Sequence, residues 1–480
     1  MFWDRKQELQ TLEREYERAG GSLVVIYGRR RVGKTTLIKE FIRDKPAMYF
    51  LADERLESVQ RGRFQAVLSD FSGDPLLARV TANDWDTLFE LLIQRLDWSQ
   101  KIVLVIDEFQ YLAKTTPGFP SFMQGIWDEK FKEMNIMLIL CGSLVGMMRR
   151  LCLDSGSPLY GRRTGQIRLQ PLQFTDYLDI FDLPFNEVVP LYAITGGIPR
   201  YIELLRQDGE DLLEQISRHV LEPGSALYEE PRFLLSGEVN ETTTYFSILQ
   251  AIASGDHKIG SIAKTLEMPT NRLSAYVQTL EDLNFVERRT PVTAGPKSRR
   301  GLYFISDLLS RFWFRYVFPN QNYLEIGRTA NVEAQLRASF DSIFTAQVFE
   351  QCCASVLWRL ADQGQIPFIP QRVGHWWNKD QEIDLVALNQ ETKEILFGEV
   401  KWTQQPIGID VLKSLYAKVQ QVNWHPEERE EWFILFSRAG FQPALLDRAS
   451  HPNGAGKYDL ILVQDGRVVA PDPDALGVAP

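Results

Sequence analysis

The chain has 480 residues, which exceeds what one hydrophobic core organises and predicts about two to four domains. Its net charge of −10 excludes a globally basic nucleic-acid-binding protein, so any contact with nucleic acid must come from local patches. No apolar run approaches the ~20 residues that span a bilayer, the N-terminus lacks a signal-peptide pattern, and the cysteines have no zinc or disulfide spacing, so we expect a cytoplasmic protein with reduced thiols.

The first motif follows a helix and a strand. Apolar residues recur with a helical period from Leu9 to Ala19, and Ser22–Tyr27 is an apolar run typical of a strand. Residues 28–35 read GRRRVGKT, and a helical pattern begins again at Thr36. A strand, a glycine-bounded loop with this spacing and a helix together predict a loop that binds nucleotide phosphates.

Each residue type in this loop has a chemical reason. Gly28 and Gly33 permit a tight turn and the close approach of backbone N–H groups to phosphate oxygens. Lys34 would place a cation on the β- and γ-phosphates of ATP, and Thr35 would ligate Mg²⁺. Thr36 would lie beside the phosphates at the positive end of the helix dipole. The alternative is a glycine turn without a ligand, which the strand and helix around it argue against.

Strands and helices then alternate. A second strand is predicted at Ala47–Leu51, and helical periodicity runs from about 56 to 96 with a break near 73–75. Continuous apolar runs at 101–108 and 136–143 predict strands that are buried on both faces. This alternation predicts an α/β domain with a parallel sheet.

Two of these strands end in polar residues that suit nucleotide hydrolysis. Asp107 would hold Mg²⁺, and Glu108 would polarise the attacking water as a general base. Ser143, after the next strand, would hydrogen-bond the γ-phosphate or its water. The alternatives are an acidic helix cap for Asp107 and Glu108 and an ordinary turn serine for Ser143.

Further along, the segment SPLYGRRTG presents paired arginines, which are commonly just solvated but can also stabilise charge on a γ-phosphate. The chain to about residue 205 resembles the archaeal-type ATPase family within the STAND/AAA+ branch of phosphate-loop ATPases. The resemblance rests on FWDR…EL, GRRRVGKT, VIDEF, LCGSLVGMM, SPLYGRRTG and TGGIPRYI. It implies that the nucleotide base lies against Arg5 and Glu8. It also implies that Ser143 is a sensor and that Arg162 or Arg163 is an arginine finger or a sensor. The turn that contains Gly197 and Pro199 would pack on the adenine.

Three short helices and a hairpin follow a helical lid. Helical patterns cover 242–254, 259–266 and 272–283, the last of them started by residues 269–271, and strands are predicted at 286–289 and 302–305. This order predicts a winged helix-turn-helix, in which the third helix enters a DNA major groove and the wing rests on phosphates. The residues assigned to these contacts are Thr270, Asn271, Arg272, Ser274, Tyr276 and Lys297 to Arg300. The alternative is an internal module or a protein-interaction surface.

The last third of the chain carries a second charged group. Asp384 lies on one predicted strand, and Glu399 and Lys401 alternate on the next. Charged residues in apolar strands are costly unless they pair or bind a ligand. The spacing resembles the PD-(D/E)XK nuclease fold, which implies Mg²⁺ held by Asp384 and Glu399, a further acid at Glu350, and a water positioned by Lys401. An exposed cross-strand ion pair on an edge strand is the alternative.

Together these patterns predict the following parts: a P-loop parallel-sheet ATPase core (1–180), a helical lid (181–238), a winged helix-turn-helix (239–310), a C-terminal α/β restriction-endonuclease-like domain (311–470) and a disordered tail (471–480). The predicted function is an ATP- and Mg²⁺-dependent switch that acts on DNA. The rival hypotheses are a signalling switch that binds DNA or a protein without cleaving, and a scaffold with no nucleic-acid role. An arginine finger acting in trans would require a homo-oligomer.

Overall fold

The computed structural model describes residues 3–77, 82–206, 211–295, 298 and 300–472. The chain divides into two compact units. The first comprises residues 1–171, 198–200 and 236–240, and the second comprises 172–197, 201–235 and 241–480. Within the described ranges, no helix combines the length and the apolarity needed to cross a bilayer.

The elements up to residue 171 form the body of the first unit. In chain order they are α1 (Lys6–Glu17), β1 (Ser22–Tyr27), α2 (Lys34–Phe41), β2 (Ala47–Leu51), α3 (Glu57–Ser72), α4 (Trp85–Arg95), β3 (Ile102–Asp107), α5 (Phe109–Thr115), α6 (Phe119–Glu129), β4 (Ile136–Gly142), α7 (Val145–Met148) and β5 (Gly165–Arg168). The strands predicted near residues 22, 47, 101 and 136 are therefore confirmed.

These strands form one parallel sheet in the order β2-β3-β4-β1-β5. Every residue of β1, β3 and β4 is buried, which confirms the prediction of a sheet covered on both faces. Because β4 lies between β1 and β3, the loops that follow these three strands meet at one edge of the sheet. The fifth strand was not predicted, since β5 is short and only one of its residues is buried.

The remaining elements follow residue 171. They are α8 (Phe174–Ile180), α9 (Phe185–Thr195), α10 (Pro199–Leu205), α11 (Leu212–Ile216), α12 (Glu230–Glu238), α13 (Thr242–Ala253), α14 (Ile259–Thr265), α15 (Thr270–Asp282), β6 (Val286–Arg289), β7 (Leu302–Ile305), α16 (Leu308–Phe312), α17 (Gln321–Leu324), α18 (Ala330–Ser339), α19 (Ala346–Asp362), β8 (Arg372–Trp377), β9 (Glu382–Asn389), β10 (Glu394–Lys401), α20 (Ile409–Val419), β11 (Glu430–Ser437), α21 (Pro443–Ser450), β12 (Leu460–Gln464) and β13 (Arg467–Ala470).

The second sheet contains six strands in the order β13-β12-β11-β10-β9-β8. Strand β10 runs antiparallel to β9 and parallel to β11. The pairing of Gly398 with Leu385 places Asp384 beside the end of β10 that carries Glu399. Strands β11 to β13 were not predicted from the sequence. Residues 473–480 of the predicted tail lie outside the described residues.

Three helices, α13 to α15, precede the β6–β7 hairpin, as the sequence predicted. The segment after β6 packs against the second sheet. The Val292 N–H donates to the carbonyl oxygen of His375 on β8 (2.8 Å), and Arg372 Nη2 donates to the carbonyl oxygen of Ala294 (2.9 Å). Val292 is buried in the core of that sheet. Residues 292–294, which precede the predicted basic part of the wing, are therefore fixed to β8.

The charged part of the predicted wing is only partly described. Lys297 and Arg299 lie outside the described residues, whereas Arg300 is exposed. The assignment of this basic cluster to DNA phosphates therefore stays a prediction.

Gly197 connects α9 to α10 in a conformation that side chains rarely adopt. Its φ is 77°, and a Cβ there would lie 2.0 Å from the carbonyl oxygen of Leu172. We expect Gly197→Ala to destabilise the second unit by more than about 2 kcal/mol, because strain and steric clash add. Thermal unfolding measures the loss. Gly260→Ala is the matched control, since a Cβ there meets open space within α14. Equal unfolding midpoints for the two variants would contradict the prediction.

Candidate functional site

The loop after β1 is bonded to its own lysine. Lys34 begins α2, and its Nζ donates to the carbonyl oxygens of Gly28 (2.8 Å) and Arg29 (2.9 Å). Lys34 is 6% exposed, and burial lowers its pKa although the nearby carboxylates of Glu108 and Asp107 oppose the shift. A buried ammonium held by neutral carbonyls gains energy from an anionic partner. The site therefore fits a nucleotide phosphate.

The two glycines of the loop are required for different structural reasons. Gly33 is the N-cap of α2 with a φ of 98°, a left-handed conformation that favours glycine. Gly28 is held by packing, because a Cβ there would lie 2.4 Å from the carbonyl oxygen of Leu169. The sequence predicted only a phosphate-related role for Gly28, since the approach of Leu169 depends on the unpredicted strand β5.

Residues predicted to contact the base lie against this loop. Arg5 is almost buried, and it donates from Nη2 to the carbonyl oxygen of Val32 (3.2 Å) and from Nη1 to Glu8 (3.4 Å). Pro199 also lies against the loop, with Cγ 3.8 Å from the position that a Cβ on Gly33 would take. The structure thus brings Arg5, Glu8 and Pro199 to the loop.

Asp107 joins the loop to β3. Its Oδ2 accepts hydrogen bonds from Thr35 Oγ1 (2.9 Å) and from the Tyr49 hydroxyl, and its Oδ1 accepts from the Glu108 N–H (2.9 Å). Burial and the adjacent Asp107 carboxylate raise the pKa of Tyr49. Sequence reasoning missed Tyr49 because it lies on β2 and meets Asp107 only through sheet pairing. Thr36 is exposed on the first turn of α2.

Glu108 points towards β4. Its Oε2 accepts from Ser143 Oγ (2.7 Å), from the Ser143 N–H (3.3 Å) and from Gln110 Nε2. Glu108 precedes α5 in a left-handed conformation and makes no side-chain cap hydrogen bond, so the helix-cap alternative is not what the structure adopts. Ser143 does not merely occupy a turn, because its hydroxyl and its N–H both donate to Glu108. Gln110 is fully buried and was missed, because a glutamine inside a short helix carries no motif.

The paired arginines are far from this loop in the same chain. Thr164 N–H bonds to the Leu23 carbonyl oxygen (2.8 Å), so Arg162 and Arg163 lie at the amino end of β1, whereas the loop follows its carboxyl end. Arg162 Nη2 pairs with Asp128 at 2.7 Å. Parallel pairing of β5 with β1 separates the arginines from the loop, and the sequence could not show this because β5 was not predicted.

Glu238 is an additional acid close to the loop that carries Lys34. Its carboxylate accepts from the N–H groups of Val145 (2.9 Å) and Gly146 (3.3 Å) at the start of α7, just after Ser143. Burial raises its pKa, whereas these hydrogen bonds and the charge of Arg30 act in the opposite direction. No sequence signal marked Glu238, since its amide partners lie more than 90 residues away.

The second charged group assembles on β9 and β10. Asp384 Oδ2 accepts from the Val400 N–H (3.0 Å) and from Lys401 Nζ (3.1 Å), and Lys401 also pairs with Glu399 (2.7 Å). Glu399 is 3% exposed and pairs in addition with Lys418 of α20. Burial opposes the charge on Lys401, but the two carboxylates outweigh it and raise its pKa. The alternation predicted for Glu399 and Lys401 is confirmed, and Lys418 was missed.

Glu350 lies beside this group on α19. Burial raises its pKa to about 8, and the charges of Asp384 and Glu382 add to the shift. Among the residues that the structure describes, no group of three or more histidine, cysteine or acidic side chains has the arrangement of a metal site. The predicted three-acid magnesium set is therefore not formed, because lysines occupy both oxygens of Glu399.

Two protein families match parts of the chain. Residues 2–205 match an ATPase domain found predominantly in Archaea, and residues 313–415 match a family of archaeal and bacterial proteins of unknown function. Among solved structures, the chain is similar to a Walker-type ATPase of Pyrococcus abyssi, with a TM-score of 0.46 and 23% identity over 65% of this chain and 96% of that chain. It is also similar to the ORC2 protein of Aeropyrum pernix, with a TM-score of 0.41 and 16% identity over 70% of this chain and 95% of that chain.

One relative is similar to this chain over most of the length of both proteins. An uncharacterized protein of Methanocaldococcus jannaschii is 35% identical over 403 residues, which cover 84% of this chain and 88% of that protein. A shorter uncharacterized ATP-binding protein of the same organism is 53% identical over 45 residues, which cover 9% of this chain and 76% of that protein. The chain belongs to the family of proteins that carry the ATPase domain found predominantly in Archaea.

Proposed function

We propose that the chain is an ATP-binding and ATP-hydrolysing switch whose nucleotide state controls a DNA-binding winged helix and a Mg²⁺-dependent nuclease-like domain. The observation that carries the proposal is the presence of two separate charged centres in one chain. One surrounds Lys34 and Asp107, and the other surrounds Asp384 and Lys401.

In the first centre, Lys34 would bind the β- and γ-phosphates of ATP. Thr35 Oγ1 and Asp107 Oδ2 are hard oxygen donors only 2.9 Å apart, which fits Mg²⁺. Bound there, the ion would neutralise phosphate charge. Glu108 would take a proton from the attacking water, and Ser143 and Gln110 would orient its carboxylate.

The arginines extend this proposal to a neighbouring copy. Arg162 and Arg163 lie at the sheet edge opposite the loop, so either could assist hydrolysis only on the nucleotide of another subunit. A homo-oligomer is therefore part of the proposed active state. Arg5 and Pro199 would enclose the base of the nucleotide bound in cis, because both lie against the loop.

DNA binding is assigned to the start of α15. Thr270, Asn271, Arg272 and Ser274 are exposed there, and Arg272 Nη2 donates to the Tyr276 hydroxyl (3.4 Å). Short polar and guanidinium side chains at a helix start suit base edges in a major groove. Since the segment after β6 is fixed to β8, the proposed DNA-contacting end of α15 and the second charged centre would move together.

In the second centre, Asp384 and Glu399 share Lys401, so their carboxylates are close enough to contact one cation. Once Lys401 and Lys418 release the oxygens of Glu399, the pair would offer Mg²⁺ two protein carboxylates, and water and phosphate oxygens would complete its shell. The ion would supply charge to stabilise a phosphodiester undergoing attack. Lys401 would orient the attacking water, and Lys418 would leave Glu399 for the phosphate backbone.

Plasmid cleavage tests this assignment. We expect the wild-type protein with Mg²⁺ to cut supercoiled plasmid in a manner that depends on ATP. Asp384→Asn should reduce cutting by about 100-fold or more, because one ligand charge is lost while the amide oxygen still accepts from Val400. Glu427→Gln is the matched control, since this acid is exposed. An uncut plasmid with the wild type, or full activity in Asp384→Asn, would refute the nuclease assignment.

A switch that binds DNA without cleaving it is the second candidate. It is favoured by the pairing of Glu399 with both Lys401 and Lys418, which neutralises the carboxylate without a metal. Salt-sensitive DNA binding together with an uncut plasmid would support this candidate.

A further inference from the structure

A cavity of about 720 Å³ lies beside the second charged centre, entirely within the second unit. The hairpin and α16 with the turn after it form one wall, which includes Arg289, Arg311 and Arg315. Strand β8 and the turn after it form another part of the lining, which includes Trp377. The volume falls within the ~300–1,000 Å³ typical of small-molecule sites and exceeds what ordered water alone requires.

The first wall carries three positive charges, of which Arg289 and Arg311 are half-buried and Arg315 is exposed. Arg289 Nη2 (2.7 Å) and Arg311 Nη1 (2.9 Å) both donate to the side-chain oxygen of Gln351, in the amide orientation that two donors require. Glu287 pairs with Arg289. Burial and the charge of Arg289 lower the pKa of Arg311 to about 10. Two guanidinium groups on one neutral oxygen are costly, and a bound anion would relieve the cost.

The cavity also offers aromatic surface. Phe304 is stacked on His257 with ring centroids 4.3 Å apart, and the guanidinium of Arg289 lies 4.5 Å from the Phe304 ring centre. Trp377 lines the cavity as well and is half-exposed. Arginine together with tryptophan at one cavity is the combination that binds a phosphate and stacks an unpaired base.

Two buried polar atoms that line this cavity on β8 and the turn after it have no hydrogen-bond partner within the described ranges. They are Nδ1 of His375, which lies 3.9 Å from Glu350, and Oε1 of Gln381. Buried polar atoms are normally hydrogen-bonded, so an orphan at a cavity wall is satisfied when a ligand or water enters. Glu350 and Glu382 also line the cavity, and both interact electrostatically with Asp384 and with Arg289.

We propose that this cavity is a nucleotide pocket that holds an unpaired terminal nucleotide of a DNA strand, with its phosphate on Arg289, Arg311 and Arg315 and its base against Trp377. The inference rests on the proposed nuclease function and adds the substrate class, a strand end. A phosphate anchored on the arginines leaves the adjoining phosphodiester beside Glu350 and Glu382, next to Asp384. The full-length protein would therefore prefer DNA with a single-stranded overhang to blunt duplex.

Binding without divalent metal separates this inference from cleavage. Fluorescence anisotropy in EDTA would compare a labelled hairpin duplex that carries a short single-stranded overhang with the same hairpin made blunt. We expect at least about tenfold tighter binding to the overhang, because charge-assisted hydrogen bonds are lost in the blunt form. Thymidine monophosphate, added as competitor, distinguishes the sources. Displacement only at high concentration indicates a strand end, whereas displacement of the overhang at equal concentration indicates a free-nucleotide site and overturns the assignment to DNA.

Arg311→Met distinguishes a ligand-binding role from a structural role. Removing one of two adjacent half-buried cations should leave the thermal midpoint unchanged or raise it, while the overhang preference falls by about tenfold. Arg328→Met is the matched control, since Arg328 is exposed and lies outside the cavity. A lower midpoint with an unchanged overhang preference would overturn the inference. Intact cleavage without overhang preference would refute only the nucleotide-pocket inference. Overhang preference without cleavage would refute only the nuclease assignment.

Discussion

Lys34→Ala is expected to abolish ATP binding that calorimetry can measure. The lysine supplies the buried ammonium of the loop, and its present partners are the neutral carbonyls of Gly28 and Arg29. Phosphate would replace them with charge-assisted hydrogen bonds of ~1.5–3 kcal/mol each. Losing two such bonds weakens binding by about 100-fold or more, because each 1.4 kcal/mol corresponds to about tenfold. Titration with Mg²⁺ and ATP should therefore give no heat at micromolar protein.

Lys39→Ala is the control for this variant. Lys39 lies on the exposed face of the same helix, so its removal changes net charge equally and leaves the loop intact. Both variants should retain the thermal midpoint of the first unit without nucleotide, since Gly28 and Arg29 can be solvated. Wild-type affinity in Lys34→Ala would show that the nucleotide lies elsewhere.

Glu108→Gln is expected to stop hydrolysis while preserving ATP binding. An amide cannot take a proton from water, and the loss of a general base slows turnover by about 10²- to 10⁴-fold. The substitution is conservative in shape, because the remaining side-chain oxygen still accepts from Ser143 Oγ. Phosphate release measures the rate, and calorimetry measures the affinity.

The matched control is Glu129→Gln, which makes the same chemical change at an exposed position of α6. Its turnover should equal that of the wild type. If Glu108→Gln turns over ATP at the wild-type rate, another group activates the water, and the pairing of Glu108 with Ser143 and Gln110 has only a structural role.

Local patterns made much of the fold predictable. Continuous apolar runs identified β1, β3 and β4, and glycine spacing identified the loop before Lys34. The alternation on β10 predicted that Glu399 and Lys401 share a face, as their ion pair confirms. In each case, the signal lay within about ten consecutive residues.

What could not be predicted depends on contacts between distant segments. Tyr49 reaches Asp107 across β2 and β3, and Lys418 reaches Glu399 from α20. Glu238 finds the start of α7 across more than 90 residues. The location of Arg162 required knowing that β5 begins beside the start of β1. The periodicity of a sequence does not indicate which distant segments contact each other.

The attachment of Val292 to β8 also affects solubility. Strand β8 ends the second sheet, and its outer backbone would otherwise be open to pairing with another chain. The Val292 N–H covers it at His375, with Arg372 closing over Ala294. Val292 and Ala294, which cover this edge, thus precede β8 in the chain. We therefore expect a fragment that begins after the hairpin to expose this edge of β8 and to aggregate more readily than the whole chain.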